Sequence, residues 1–304
     1  MIQYVEREDL EVEKYDACID NSIQSRIYAF SWYLDIVADN WDVLVLDDYK
    51  AVMPIPCRKK AGIKYVYPPL WLLELGIFSL SENIDYNPFF KLLFQKFKSV
   101  ESRLNSAINI QENTSCFVGK QMQILLISDD YNTICNGYRK DRRKDLNKAK
   151  KVDLTEKWND NPEKLIQLFK NNVGKRTPNI TDKDYLVLEE LIKICIEKKV
   201  GEILSVYNKE DRLVASGFFL KHKKAVTILV SSTDFKHRKN GANTFLIDRA
   251  IYKFEKNFSI FNFGGSSMES IAKYFLSFGA TSNNYQQIKY NNLPWFIKLL
   301  RKMS

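Results

Sequence analysis

Apolar and polar positions alternate with two different periods along this chain, and the switches between them mark its elements. A period of two over IQYVE (2–6) predicts a strand. Residues 11–20 and IYAFSWYLDIVA (27–38) carry helical spacing. WDVLVLD (41–47) is an apolar strand, DYKA (48–51) a turn, and VMPIPCRKK (52–60) the returning arm of a hairpin. Pro54 and Pro56 lack the N–H that a ladder needs, so this arm is expected at an edge or a bulge. IKYVYPP (63–69) is a strand broken by Pro68 and Pro69. NPFFKLLFQKFKSV (87–100) is a helix with Pro88 in its first turn and Phe90, Leu93, Phe94 and Phe97 on one face. CFVGKQMQILLI (116–127) ends the first half with strand-like runs.

Residues 131–151 read as one long basic helix with few large apolar residues, a connector across the surface. Its place near mid-chain divides the sequence into a domain at 1–130, the connector at 131–151 and a second domain at 152–304. The second half gives a strand (152–158) and two helices (162–173 and 182–199). Strands follow at 201–208, 212–222 and 224–234, then a helix at 242–257. The last elements are FNFGGSSMESIAKYFLSFGA (261–280), a strand at 284–291 and an amphipathic tail, LPWFIKLLRKM (293–303). The order is strand, helix, helix, three antiparallel strands, helix, strand, helix, strand, which makes the fold α+β.

Composition adds less. With 45% hydrophobic and 27% charged residues over 304 positions, this is an ordinary globular composition with no apolar run of membrane-spanning length. Cys18, Cys57, Cys116, Cys135 and Cys195 are scattered, so free thiols in a reducing cytoplasm are expected. His222 and His237 are too few for a histidine-based metal centre, and no metal is expected. The net charge of +9 is concentrated in RKDRRKDLNKAKK (139–151). That segment is either a solvated connector or a contact for nucleic-acid phosphates, with Arg139, Arg142 and Arg143 as the candidates. The tail pairs Trp295, Phe296, Leu299 and Leu300 with Lys298, Arg301 and Lys302, so it either packs on its own domain or touches an anionic membrane surface.

The 261–280 unit is a strand, a glycine turn and a helix N-terminus, a geometry that attracts phosphate, carboxylate or an oxyanion. Ser266 and Glu269 fit a capping box for that helix, which accounts for the serine better than a nucleophile's role does. Gly264 and Gly265 allow the turn, or a close approach by a ligand.

The element order resembles the GNAT acyltransferase fold, and its tandem form resembles the Fem-type peptidyltransferases and related bacterial acyltransferases. The likeness rests on DYKAVMPIPCRKKAGIKYVYPPLWLLELGIFS (48–79), NGYRKDRRKDLNKAKK (136–151) and the closing SFGATSNNY (277–285). It implies two tandem GNAT-like domains, each a mixed, largely antiparallel sheet flanked by helices. The first would be degenerate and acceptor-side, the second would hold the donor.

Acyl transfer from a thioester or activated ester to an amine is then expected, with acyl-CoA (acetyl-CoA) as co-substrate. The resemblance places the donor on the strand 224–232, through Val230 and Ser231, and on the loop and helix start Arg238, Lys239, Asn240, Gly241, Ala242 and Asn243. Arg238 and Gly241 match the family's Q/R-x-x-G-x-G/A pattern, whereas Asn243 departs from its final small residue. The family's tyrosine acid, four residues before the closing glycine, falls on Phe275; Tyr274 is the adjacent candidate, turned about 100° away on a helix. Neither Glu nor Asp is singled out as general base. Three functions remain: an acyl-CoA N-acyltransferase for a small-molecule or peptide amine, an aminoacyl-tRNA-dependent transferase of the Fem type, and a non-catalytic binding protein on the same fold. The gap between the strands at 224–232 and 258–263 is the feature to inspect.

Overall fold

The computed structural model describes residues 1–108, 115–127, 130–177, 179–264 and 268–294. The first half contains β1 (Ile2–Val5), α1 (Val12–Asn21), α2 (Ser31–Val37), β2 (Trp41–Leu46), β3 (Ala51–Lys60), β4 (Ile63–Val66), β5 (Phe78–Ser79), α3 (Asn87–Lys96) and β6 (Ser99–Arg103). Then come β7 (Phe117–Leu126), α4 (Tyr131–Asn136), α5 (Lys140–Lys151), β8 (Thr155–Trp158), α6 (Pro162–Asn171), α7 (Asp182–Glu197), β9 (Gly201–Tyr207) and β10 (Leu213–His222). Last are β11 (Ala225–Thr233), α8 (Ala242–Phe254), β12 (Ile260–Asn262), α9 (Glu269–Leu276) and β13 (Thr281–Asn291). The mixed, mostly antiparallel α+β character expected from the sequence is present.

The chain forms two compact units, Met1–Lys120 with Asn284–Ser304, and Gln121–Asn283. These boundaries differ from the division expected at 130 and 152. Residues 121–151 belong to the second unit, and the end of the chain returns to the first.

In the first unit the strands run β1-β2-β3-β4-β6-β13, with β5 on the far edge of β3. Gln287–Asn291 of β13 lie antiparallel to β6, and Ile288 is fully buried in the core with Phe89, Leu93, Phe97 and Val100. α3 stops at Lys96, so Ser99 and Val100 belong to β6 and not to the helix expected over 87–100.

The prolines of β3 lie within the sheet, not at its edge. β2 pairs along all of Ala51–Pro56, while on the other side β5 meets only Ala51–Val52 and β4 only Cys57–Lys60. The Cys57 N–H donates toward β2, to the Asn40 carbonyl (2.8 Å). By alternation, the donor missing at Pro54 would have faced the gap between β5 and β4, and that missing at Pro56 would have faced Tyr67, whose N–H donates to the Pro56 carbonyl (3.2 Å).

The second unit has the order β7-β12-β11-β10-β9-β8, antiparallel except for β11 with β12. One face packs on α8, α9, α4 and α5 through Phe219, Phe261, Phe263, Leu246, Ile251, Phe278 and Leu146, and α6 and α7 cover the other. The expected basic helix over 131–151 is two helices. α4 is capped by Asp130, whose carboxylate accepts from the Asn132 and Thr133 N–H groups, and the chain turns through Gly137–Arg139 before α5. α5 is no solvated connector either, because Leu146 and Ala149 are buried against α8.

Cys18, Cys57 and Cys195 are buried, and burial pushes their thiols up to about 11, 12 and 12 respectively. At pH 8 iodoacetamide should leave all three unmodified in the native protein and alkylate them only after unfolding. Mass-mapped modification of any of the three without denaturant would contradict these cores.

Candidate functional site

β11 carries the geometry of interest. Against β10 its register runs Ile228↔Phe219 and then Val230↔Phe218, which leaves Leu229 as the extra residue of a β-bulge. Against β12 it pairs only at Ala225↔Ile260, Val226↔Phe261 and Thr227↔Asn262. Beyond that point the two strands part. The Phe263 N–H donates to the Gln123 carbonyl of β7 (3.0 Å), and the Gly264 N–H, at φ +79°, donates to Asn262 Oδ1 (2.8 Å). β12 thus stays with β7, and from Ile228 onward β11 has no strand partner on that side among the described residues. Val230 is buried and Ser231 half-buried on this stretch.

Ser232 Oγ donates to the Leu168 carbonyl of α6 (3.2 Å), which fixes the end of β11. Asp234 then caps a 3-10 turn, Phe235–Asn240. Its carboxylate accepts from the Lys236 N–H (2.9 Å) and from Arg212 Nη2 (3.0 Å), and lies 3.0 Å from His237 Nδ1. Burial works against the Asp234 charge, but these partners outweigh it and hold its carboxyl below the usual carboxylate range.

α8 begins at Gly241 in the left-handed region, φ +78°, and no side chain caps its first turn. The N–H groups of Ala242, Asn243 and Thr244 therefore form the positive end of a helix, beside exposed Lys236, Arg238 and Lys239. The glycine has a packing reason. A Cβ there would stand 2.3 Å from the Asp145 carbonyl oxygen, because α5 crosses directly over this residue.

Polar side chains lock the crossing. Arg142 Nη1 donates to Thr244 Oγ1 (2.9 Å), its guanidinium lies 4.5 Å from the centre of the Tyr274 ring, and it pairs with Asp145 (3.0 Å). The Tyr274 hydroxyl accepts from Asn243 Nδ2 (3.1 Å) and lies 3.1 Å from Thr244 Oγ1. Burial raises the Tyr274 phenol above its ordinary value despite Thr244, Arg142 and Asn243, which work the other way. Phe275 points elsewhere and stacks on Phe263, with ring centres 4.8 Å apart.

The fold therefore gathers Val230, Ser231, Arg238, Lys239, Asn240, Gly241, Ala242, Asn243 and Tyr274 along one path, from the free edge of β11 to the first turn of α8. Of the three arginines on the basic segment, Arg139 and Arg143 are exposed, whereas Arg142 turns inward with its side chain 12% exposed. Sequence reasoning missed that inward turn, although Arg142, Leu146 and Ala149 share one helical stripe. It also missed Arg176, which the 3-10 turn Gly174–Arg176 brings to Phe235. Ser266, Gly265 and the tail from Trp295 lie outside the described residues. Among the described residues no group of His, Cys, Asp and Glu has metal-binding geometry, and no helix is long and apolar enough to cross a membrane.

No family model and no curated protein matches the sequence. Solved structures match it in fold. FemX superposes with a TM-score of 0.67 at 11% identity, covering 99% of both chains. A tandem GNAT protein from the clavulanic acid biosynthesis pathway gives 0.57 at 8% identity, over 97% of this chain and 99% of the other. L-PGS from Bacillus licheniformis gives 0.54 at 12% identity, over 95% and 94%. With the parted strands, the bulge and the strand–turn–helix order already in place, these likenesses show that the chain shares its fold with FemX and with that tandem GNAT protein.

Proposed function

We propose that this chain is an N-acyltransferase whose second unit holds an acyl-CoA donor and delivers its acyl group to an amine. The observation that carries this reading is the parting of β11 from β12 after Thr227, just before the bulge at Leu229. It leaves backbone donors and acceptors on a strand edge that leads straight to an uncapped helix N-terminus in a basic loop. An extended amide-containing arm suits such an edge, and a pyrophosphate suits such a terminus. The residues present fit the donor in kind at the edge beyond Thr227, which would take the arm; Ala242 and Thr244 are buried beside α5, so the phosphates would lie against half-buried Asn243 and exposed Lys239.

The amine nitrogen attacks the thioester carbonyl, the C–N bond forms, and the C–S bond breaks. The amine gives up a proton and the thiolate leaves. Holding the carbonyl beside the amine makes the step effectively unimolecular. Tyr274 has the part of a strut in this reading, since its hydroxyl is engaged by the first turn of α8.

Acetyl-CoA and longer acyl-CoAs should raise the melting temperature, with a stabilisation of about 2.7 kcal/mol at one hundred times Kd. Lys239→Glu should weaken binding about tenfold, the effect of replacing attraction by repulsion at one phosphate contact. If no acyl-CoA binds, the donor assignment fails.

A second reading is favoured by one observation. The exposed cations Arg139, at the N-cap of α5, and Lys140, Arg143 and Lys144, within it, lie on the helix that crosses the start of α8. An aminoacyl-tRNA donor would use them. It requires tRNA binding that weakens with salt and is lost in Arg139→Glu/Arg143→Glu, in a protein that ignores acyl-CoA.

A further inference from the structure

A cavity of about 570 Å³ opens beside α3 in the first unit, and aromatic rings line it. Asn87, Phe90, Lys91 and Phe94 are spaced three or four positions apart, so one stripe of α3 forms one side. Phe117, at the start of β7, and Tyr290 of β13 form the other. The ring centres of Phe94 and Tyr290 are 4.4 Å apart. Phe90 meets Phe117 edge to face at 5.2 Å and stacks on Phe94 at 6.4 Å. Phe90 is buried, whereas Phe94, Phe117 and Tyr290 are only half-buried.

The walls belong to regular elements. Tyr290 pairs with Val100 of β6, and the neighbouring Lys289 N–H donates to the Cys116 carbonyl (2.7 Å), which joins the start of β7 to β13. Phe89, Phe90 and Leu93 anchor α3 in the core with Val100 and Ile288. The rings are therefore held without a ligand, and a cavity of this size is within the usual range for small molecules. Water against three half-buried rings is unfavourable, and a flat apolar body between them would displace it.

The polar groups at the rim favour one sign of charge. Asp85 Oδ1 accepts the Asn87 N–H (3.0 Å), so this carboxylate is taken up by the positive end of α3. Lys91 is exposed, and its ammonium has no carboxylate partner among the described residues. The Tyr290 hydroxyl has no hydrogen-bond partner among them either. Two donors are left over against one engaged acceptor.

We infer that this cavity is a binding site for a small aromatic anion of the aryl carboxylate class. Its ring would enter among Phe94, Phe117 and Tyr290, and its charge would pair with Lys91. The site lies wholly in the first unit, whereas the donor path belongs to the second, so it does not depend on the donor's identity.

The test uses the full chain with 2-naphthoate as probe and calorimetry at low salt. 2-Naphthoate should bind, and Phe94→Ala should weaken it about tenfold through loss of the ring that touches Tyr290. Lys91→Glu changes an exposed position that the fold does not need, so it should melt with the wild type. It should still weaken 2-naphthoate about tenfold by turning attraction into repulsion, while the neutral 2-naphthylmethanol binds both proteins equally. No binding of 2-naphthoate, or wild-type affinity in Lys91→Glu, would overturn the site. So would competition by acyl-CoA, which would put the probe on the donor path instead. 2-Naphthoate binding in a protein that ignores acyl-CoA removes the donor assignment and leaves this site standing.

Discussion

Gly241→Ala should destabilise the protein by about 3 kcal/mol, the sum of placing an L-residue in the left-handed region and forcing atoms into a filled space. The new methyl group would meet the Asp145 carbonyl at 2.3 Å, and a backbone oxygen in the middle of a helix cannot rotate away as a side chain would. α5 must lift from α8, or the start of α8 must unwind. For a unit of this size that corresponds to a fall of roughly 10 °C in melting temperature. Gly119→Ala is the control, since nothing lies within 4 Å of its Cβ position and its φ is not in the left-handed region. Equal stabilities of the two variants by urea denaturation would show that α5 does not close over this residue. Gly241→Val, with a branched side chain at the same φ, should cost more again.

The second large effect separates two neighbours that look alike in the sequence. Arg142→Ala should cost about 2–3 kcal/mol, because it leaves Asp145 and the Thr244–Tyr274 pair without their shared cation. Arg143→Ala, on the exposed side of the same helix, should stay within about 0.5 kcal/mol. The asymmetry also governs how a role for α5 in binding anions is tested. Charge reversal at Arg142 would disturb the start of α8 directly, so only Arg139 and Arg143 report on the surface. Equal costs at Arg142 and Arg143 would dismiss the inward position of Arg142.

Periodicity alone makes most elements legible in the sequence. β2, β9, β10 and β11 are dense in Val, Ile, Leu and Phe with turn residues between them, and α7 and α8 carry long amphipathic stripes. What spacing lacks is context. Pro54 and Pro56 suggest an edge because a sequence does not say which neighbour a missing donor would have faced. The helix expected over 87–100 runs on because Phe97 continues the apolar stripe of α3, while the next residues already belong to β6. The segment 131–151 looks continuous because its charges hide two small signals, the turn at Gly137 and the inward spacing of Arg142, Leu146 and Ala149.

The site is legible only where it is local. The loop 238–243 has a readable pattern, but its glycine is explained by a helix about a hundred residues earlier in the chain. The parting of β11 and β12 depends on which strand β12 follows, and the cavity beside α3 depends on the pairing of Tyr290 with Val100. Tertiary contacts of that kind leave no trace in spacing.

The return of β13 has a consequence for how the protein is made. The second unit is one continuous stretch, so its chain is made before Gln287–Asn291. The first unit is interrupted, and β6 waits for Gln287–Asn291 to reach it. On the ribosome, the first of these two units is therefore completed after the second, and until then β6 exposes a bare hydrogen-bonding edge of the kind that recruits stray strands.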